Sequence, residues 1–278
     1  TANDIGKSIA VTVTGFGGYS GGVRSAAVTA TPAIISGTVT ATGTAKFGEV
    51  LTANTSNIDP TAATLSYQWK RDELNIGSES TYTIAVEDIG QPITVTVTGT
   101  GVYEGSITSA AVVPTKADVA APAAPMLSTK TANSVTLIAV AGQEYKVEGG
   151  AWQSSIVFTG LNKNTAYNFY TRIAETATHN ASGISTALSV TTTKVTITGT
   201  VLITGNASVG QTLSADISGV IPNEATLSYK WKAGTVQIGT ESTYTVTDAD
   251  IGESIAVTVT GTGDYTGSLT SMAVVIAE

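Results

Sequence analysis

Residues 32–116 align with residues 194–278 without a gap, at an offset of 162. Gly37 falls on Gly199, Leu51 on Leu213, Tyr67 and Trp69 on Tyr229 and Trp231, Tyr82 on Tyr244, and Asp88 on Asp250. A chain that repeats itself at this length folds one unit twice, so it must be an array of small domains rather than one large one. Residues 1–31 match only the last third of the unit, with Asp4, Gly6, Gly15 and Tyr19 on Asp88, Gly90, Gly99 and Tyr103. Residues 117–193 match neither copy. The expected order is the C-terminal part of a repeat with its last two strands (1–31), a full repeat (32–116), a different module (117–193) and a second full repeat (194–278).

Within a repeat, residue parity is that of strands buried on one face. In "ITVTVT", Ile93, Val95 and Val97 point one way and Thr94, Thr96 and Thr98 the other, where β-branching still favours the extended backbone. Leu65, Tyr67 and Trp69 share a face, as do Tyr82, Ile84 and Val86. Further strands are predicted at Ile35 to Ala41, around Leu51 and Ala53, and from Ile107 to Val113. Charged residues are only 12% of the chain, which suits Thr-, Ala-, Val- and Gly-rich β-structure with many turns. About seven short strands separated by turns indicate two packed sheets.

The full repeats resemble disulfide-free immunoglobulin-like domains of bacterial surface proteins. The resemblance rests on a tryptophan in "YQWK" and "YKWK", then "STYT", then "EDIGQPITVTV" or "DADIGESIAVTV". It implies a core built on Trp69 and Trp231, with Tyr67 and Tyr229 beside them. Val95 and Val257 stand where antibody domains carry half a cystine, so packing alone must fill these cores. Residues 117–193 resemble a fibronectin type III module through their entry prolines, a strand through Val135 and Leu137, and Leu161, Thr165 and Tyr167 before a strand carrying Phe169. That resemblance implies a tyrosine corner at Tyr167, its hydroxyl bonded back to backbone. The family's early core tryptophan is missing, with Leu137 or Ala139 in its region. The expected fold class is all-β: tandem sandwiches of immunoglobulin-like and fibronectin type III-like kinds in an elongated array. The proline-bearing linker 114–125 and the short "TTTKVT" favour restricted bending.

Charge and cysteine narrow the function. The net charge is −8 with a pI near 4.6, and no Lys/Arg cluster could track a phosphate backbone or an anionic membrane. No nucleic acid and no membrane insertion are expected. No apolar run reaches the length of a membrane span, and the first residues lack the pattern of a signal peptide, so an interior segment of a longer protein is expected. Without cysteine there is no disulfide, thiolate metal site or cysteine nucleophile.

Candidate chemistry is sparse. Asp4, Asp88 and Asp250 recur at one repeat position and "DAD" at 248–250 suggests a calcium loop, but calcium needs six or more oxygens and a turn or cap role is favoured. His179 is the only histidine and has no nucleophile elbow or triad context. Asp and Glu mostly sit at turns, which disfavours a glycosidase pair, and the glycines at 17, 18, 101 and 263 have no strand-loop-helix setting for phosphate. Asn54, Asn180 and Asn206 fit a glycosylation sequon. The final strands contain no Asn for a Lys–Asn crosslink. No catalytic residue, metal or cofactor is therefore expected.

The turn carrying Tyr19, Tyr103 and Tyr265 is the remaining ligand candidate, since an exposed aromatic stacks on a sugar face. The favoured reading is that glycine supplies the turn and tyrosine packs on the sandwich end or the next domain. The chain therefore reads as a non-catalytic extracellular spacer or stalk of a bacterial surface or secreted multidomain protein, partnered by the neighbouring domains of its parent. The alternative is an adhesin whose turn tyrosines bind cell-wall or host glycans or proteins. In residues 1–31, Ile9, Val11 and Val13 have no opposing sheet, so this hairpin is expected to be a remnant dispensable to the three modules, with strand complementation by another chain as the competing reading.

Overall fold

The computed structural model describes all of residues 1–278, which form strands and short 3-10 turns with no α-helix. No helix is long and apolar enough to cross a membrane. The chain divides into two compact units: Thr1–Ala120 with Ala174–Ser182, and Ala121–Ile173 with Gly183–Glu278.

In the first unit, residues 36–108 form a sandwich. One sheet orders the strands Thr81–Thr83, Val50–Asp59 and Ser36–Thr42; the other orders Ser106–Thr108, Ile93–Gly99, Leu65–Arg71 and Leu74–Gly77. Alternation puts Ile93, Val95 and Val97 inward against Val39, Leu51, Trp69 and Ile84. Their threonine neighbours form a hydroxyl ladder instead: Thr96 meets Thr108 at 2.9 Å and Thr98 meets Ser106 at 2.8 Å. Gly37 permits close strand approach, since a Cβ there would lie 1.9 Å from the Asn57 carbonyl oxygen.

Two expectations about strand extent are corrected. Val86 does not continue the face of Tyr82 and Ile84; the strand stops at Thr83 and Val86 opens the 3-10 turn Val86–Asp88, 40% exposed. The last strand does not run to Val113 but ends at Thr108. Val97 faces Ile107, yet Ile93 faces Val112, one residue beyond continuous pairing. This one-residue bulge reverses the parity, so Val112 is half-buried and Val113 exposed.

Residues 1–31 also lie in the first unit. The strand Thr12–Thr14 pairs with Gly22–Arg24, and Ser8–Ile9 with Val28–Thr29. The segment Ala174–Ser182 completes this unit: His179 bridges Ala117 and sets its ring edge-on to Phe47 at 5.8 Å.

The second unit holds two cores. Strands Leu127–Lys130, Ser134–Leu137 and Val157–Thr159 face Gln143–Val147, Ala166–Ile173 and Leu188–Thr191 around Val135, Leu137, Tyr145, Phe158, Phe169 and Val190. Tyr145 is the largest fully buried side chain of this core, and its hydroxyl accepts the Val140 N–H at 2.7 Å. Residues 194–278 repeat the first sandwich. Leu202–Thr204, Thr212–Asp216 and Thr243–Thr245 form one sheet, and Val236–Gly239, Leu227–Ala233, Ser254–Gly261 and Ser268–Thr270 form the other. Trp231, Leu213, Ile255, Val257 and Val259 fill its core. The chain is a tandem of all-β sandwiches.

Candidate functional site

The residues singled out by sequence fall into a core group and a turn group. Trp69 and Trp231 are fully buried. Each indole N–H donates to a backbone carbonyl at 2.9 Å, Trp69 to Glu79 and Trp231 to Glu241. Each ring stacks on a tyrosine, Tyr82 at 5.8 Å and Tyr244 at 6.0 Å. Tyr67 and Tyr229 are partly buried at the margins of these cores. The Tyr167 hydroxyl accepts the Asn162 N–H at 2.9 Å, the geometry of a tyrosine corner.

The stacked tyrosines lead to the recurring aspartates. Tyr82 donates to Asp88 Oδ2 and Tyr244 to Asp250 Oδ2, both at 2.6 Å. The same oxygens cap the 3-10 turns by accepting the backbone N–H of Ala85 and Thr247 at 2.8 Å. Asp88 also pairs with Arg71 at 2.8 Å, whereas position 233 is alanine and the Thr247 hydroxyl serves Asp250 instead. Burial pushes the Asp250 carboxyl up, but the Tyr244 and Thr247 hydrogen bonds outweigh it and hold the carboxyl below its ordinary value. Burial and the bond to Asp250 push the Tyr244 phenol up. These oxygens are committed to protein donors, and no group of three or more acidic, His or Cys side chains converges to hold a metal ion.

The turn tyrosines occupy three different surroundings. Tyr103–Glu104 pairs in parallel with Ala33–Ile34, and Tyr265–Thr266 pairs likewise with Val195–Thr196. Tyr265 is only 5% exposed: Lys163 Nζ lies 4.1 Å above its ring and hydrogen-bonds its hydroxyl, which raises the ammonium's proton affinity. Beside it Asn164 donates to Asp264 at 3.3 Å. Tyr103 is half-buried, and Tyr19 is open to solvent.

No protein-family model matches this chain, and no curated protein matches it. Among solved structures, it is similar to the three N-terminal domains of the bacteriophage RB49 Highly Immunogenic Outer Capsid protein (Hoc). The identity is 16%, over 85% of this chain and 98% of that one, with a TM-score of 0.35. It is also similar to the FN1–FN3 domains of chicken CNTN1, at 11% identity over 89% of this chain and 99% of that one, with a TM-score of 0.23.

His179 Nδ1 lies 2.9 Å from the Thr178 hydroxyl, beside the ring's edge-on contact with Phe47. Asn54, Asn180 and Asn206 are exposed. Sequence reading passed over one cluster. Trp152 is flanked by Lys146 at 4.9 Å and Arg172 at 4.6 Å, Lys146 also lies 5.8 Å from the Tyr170 ring, and Arg172 pairs with Glu144 at 2.8 Å. The signal was there as period-two spacing, with Glu144 and Lys146 on one strand and Tyr170 and Arg172 on its neighbour. The partner ring, Trp152, lies outside both strands.

Proposed function

We propose that residues 1–278 are a non-catalytic spacer of a bacterial extracellular protein, built to hold neighbouring domains of its parent apart. The observation that carries this reading is the internal use of the turn aromatic: the Tyr265 ring lies under Lys163, and its backbone holds the strand that enters the same sandwich. A group spent on joining modules stiffens an array and is withdrawn from ligands. Cores without cysteine, filled by Trp69, Trp231 and Tyr145, suit a segment that needs no oxidative maturation.

Small-angle scattering tests the spacer reading. A maximum dimension far beyond that of a compact 28.1 kDa particle is expected, and one near that of a sphere would reject it. The competing adhesin reading rests on Tyr19 and Tyr103; glycan-array binding that disappears in Tyr103→Ala would establish it in place of the spacer.

A further inference from the structure

Strand parity in Gln143–Val147 and Ala166–Ile173 sends Tyr145, Phe169 and Thr171 into the core and leaves Glu144, Lys146, Asn168, Tyr170 and Arg172 on the outer face of the sheet. Register sets Glu144 opposite Arg172 and Lys146 opposite Tyr170. Trp152 comes from the segment whose Gln153 bridges to Tyr145, and both cations lie against its ring. Trp69 and Trp231 are buried and commit their indole N–H groups to carbonyls, whereas Trp152 stays partly exposed and its N–H bonds no protein acceptor. The two carboxylates of this face are held. Arg172 gives Nε and Nη2 to Glu144 Oε2 at 2.9 and 2.8 Å, and the Asn168 amide donates to Glu148 at 2.9 Å. Lys146 has no carboxylate partner; its ammonium lies 4.9 Å from the Trp152 ring centre and 5.8 Å from that of Tyr170. Two rings thus fix a cation in place without neutralising it, so little ordering cost remains when an anion arrives.

We propose that this face binds an acidic polysaccharide through a uronate unit. The sugar carboxylate takes the Lys146 ammonium and the Trp152 N–H, the C–H face of the sugar rests on the aromatic rings, and sugar hydroxyls donate to the carboxylates of Glu144 and Glu148. Charge balance selects this class of ligand. Lys146 and Arg172 are matched by Glu144 and Glu148, so the face carries no net charge to draw a dense polyanion such as a polyphosphate. A unit with one carboxylate among neutral hydroxyls fits, because each of its groups meets a complementary one. The site goes beyond the spacer reading: it fastens the array sideways to a polymer and leaves the turn tyrosines out of the contact.

The test titrates the full chain, labelled for NMR of its indole N–H groups, with tetragalacturonate. The Trp152 resonance, assigned by its loss in Trp152→Phe, is expected to move and saturate while those of Trp69 and Trp231 hold still. Lys146→Gln should weaken binding about tenfold or more, the effect of losing a hydrogen bond to a charged group, and the methyl-esterified tetramer and inorganic polyphosphate should each bind the unaltered chain weaker by a similar factor. Lys230→Gln, an exposed position on the strand Leu227–Ala233 of the last sandwich, should leave binding unchanged. A Trp152 resonance that does not move, equal binding of the ester or of polyphosphate, or an equal loss in Lys230→Gln overturns the inference. A cluster that only braces the sheet gives the first of these, with Lys146→Gln altering the melting temperature alone.

Discussion

Trp69 and Trp231 combine large buried area, an indole bond to a carbonyl and a stacked tyrosine, and no disulfide spans either sandwich. Trp69→Ala and Trp231→Ala should each destabilise their own sandwich by roughly 3–5 kcal/mol. Calorimetry of the full chain checks this, with one transition moving down and the others holding. The Tyr244–Asp250 pair gives a pH signature with two limbs. The folded-state Asp250 carboxyl lies below its unfolded value, so its contribution is present above pH about 4 and is lost as pH falls below that. The Tyr244 phenol is raised, so its contribution holds below pH about 10 and is lost as pH rises beyond it. Urea midpoints of residues 194–278 followed from pH 6 to 3 should fall, and Asp250→Asn should flatten that limb. At this scale the tryptophans were legible because only one buried indole fits each repeat's inward parity. Lys163 over Tyr265 was not legible, because the two residues are far apart in sequence and belong to different modules.

One element recurs in all four segments. After the strand that carries Val95, Val257, Val11 or Thr171, the returning strand inserts a serine: Ser109, Ser271, Ser25 and Ser185. Its hydroxyl accepts the N–H of the facing residue while its own N–H donates to that residue's carbonyl. The pairing then slips by one position, seen in residues 117–193 as Phe169 facing Leu188. The side chain thus takes the place of a ladder carbonyl that the bulge has turned away. Ser109→Ala would strand the buried Val95 N–H, and Ser271→Ala that of Val257. Each should cost about 1–3 kcal/mol, measured by denaturant unfolding, with amide exchange at the orphaned N–H accelerated. The two sheets were readable from period-two alternation. The bulge was not, because "SITSAAVV" is apolar at both parities beyond Ser109, so the slip leaves no break in the pattern and only the serine's bonding reveals it.

At the scale of the molecule, each sandwich closes its own core: Val39 to Val97, Val135 to Val190, and Ile197 to Ile276. Deleting residues 1–31 should therefore leave the unfolding transitions of residues 32–278 unchanged. A shift in the first sandwich's transition would show that the hairpin supports it, and oligomers lost on the deletion would point to strand exchange. The repeat made the tandem of all-β sandwiches readable, while the packing of Ala174–Ser182 with the first unit was hidden in a loop that carries no periodicity. The three tryptophans fall one to each sandwich, and residues 1–31 contain none. The molecule thus carries a built-in set of optical labels. Trp69 and Trp231 report from dry interiors, and Trp152, between two cations, from a polar surface with a red-shifted and quenched emission. Pairwise Trp→Phe replacement would leave one emitter at a time, so that a pulling or melting experiment could say which sandwich had opened.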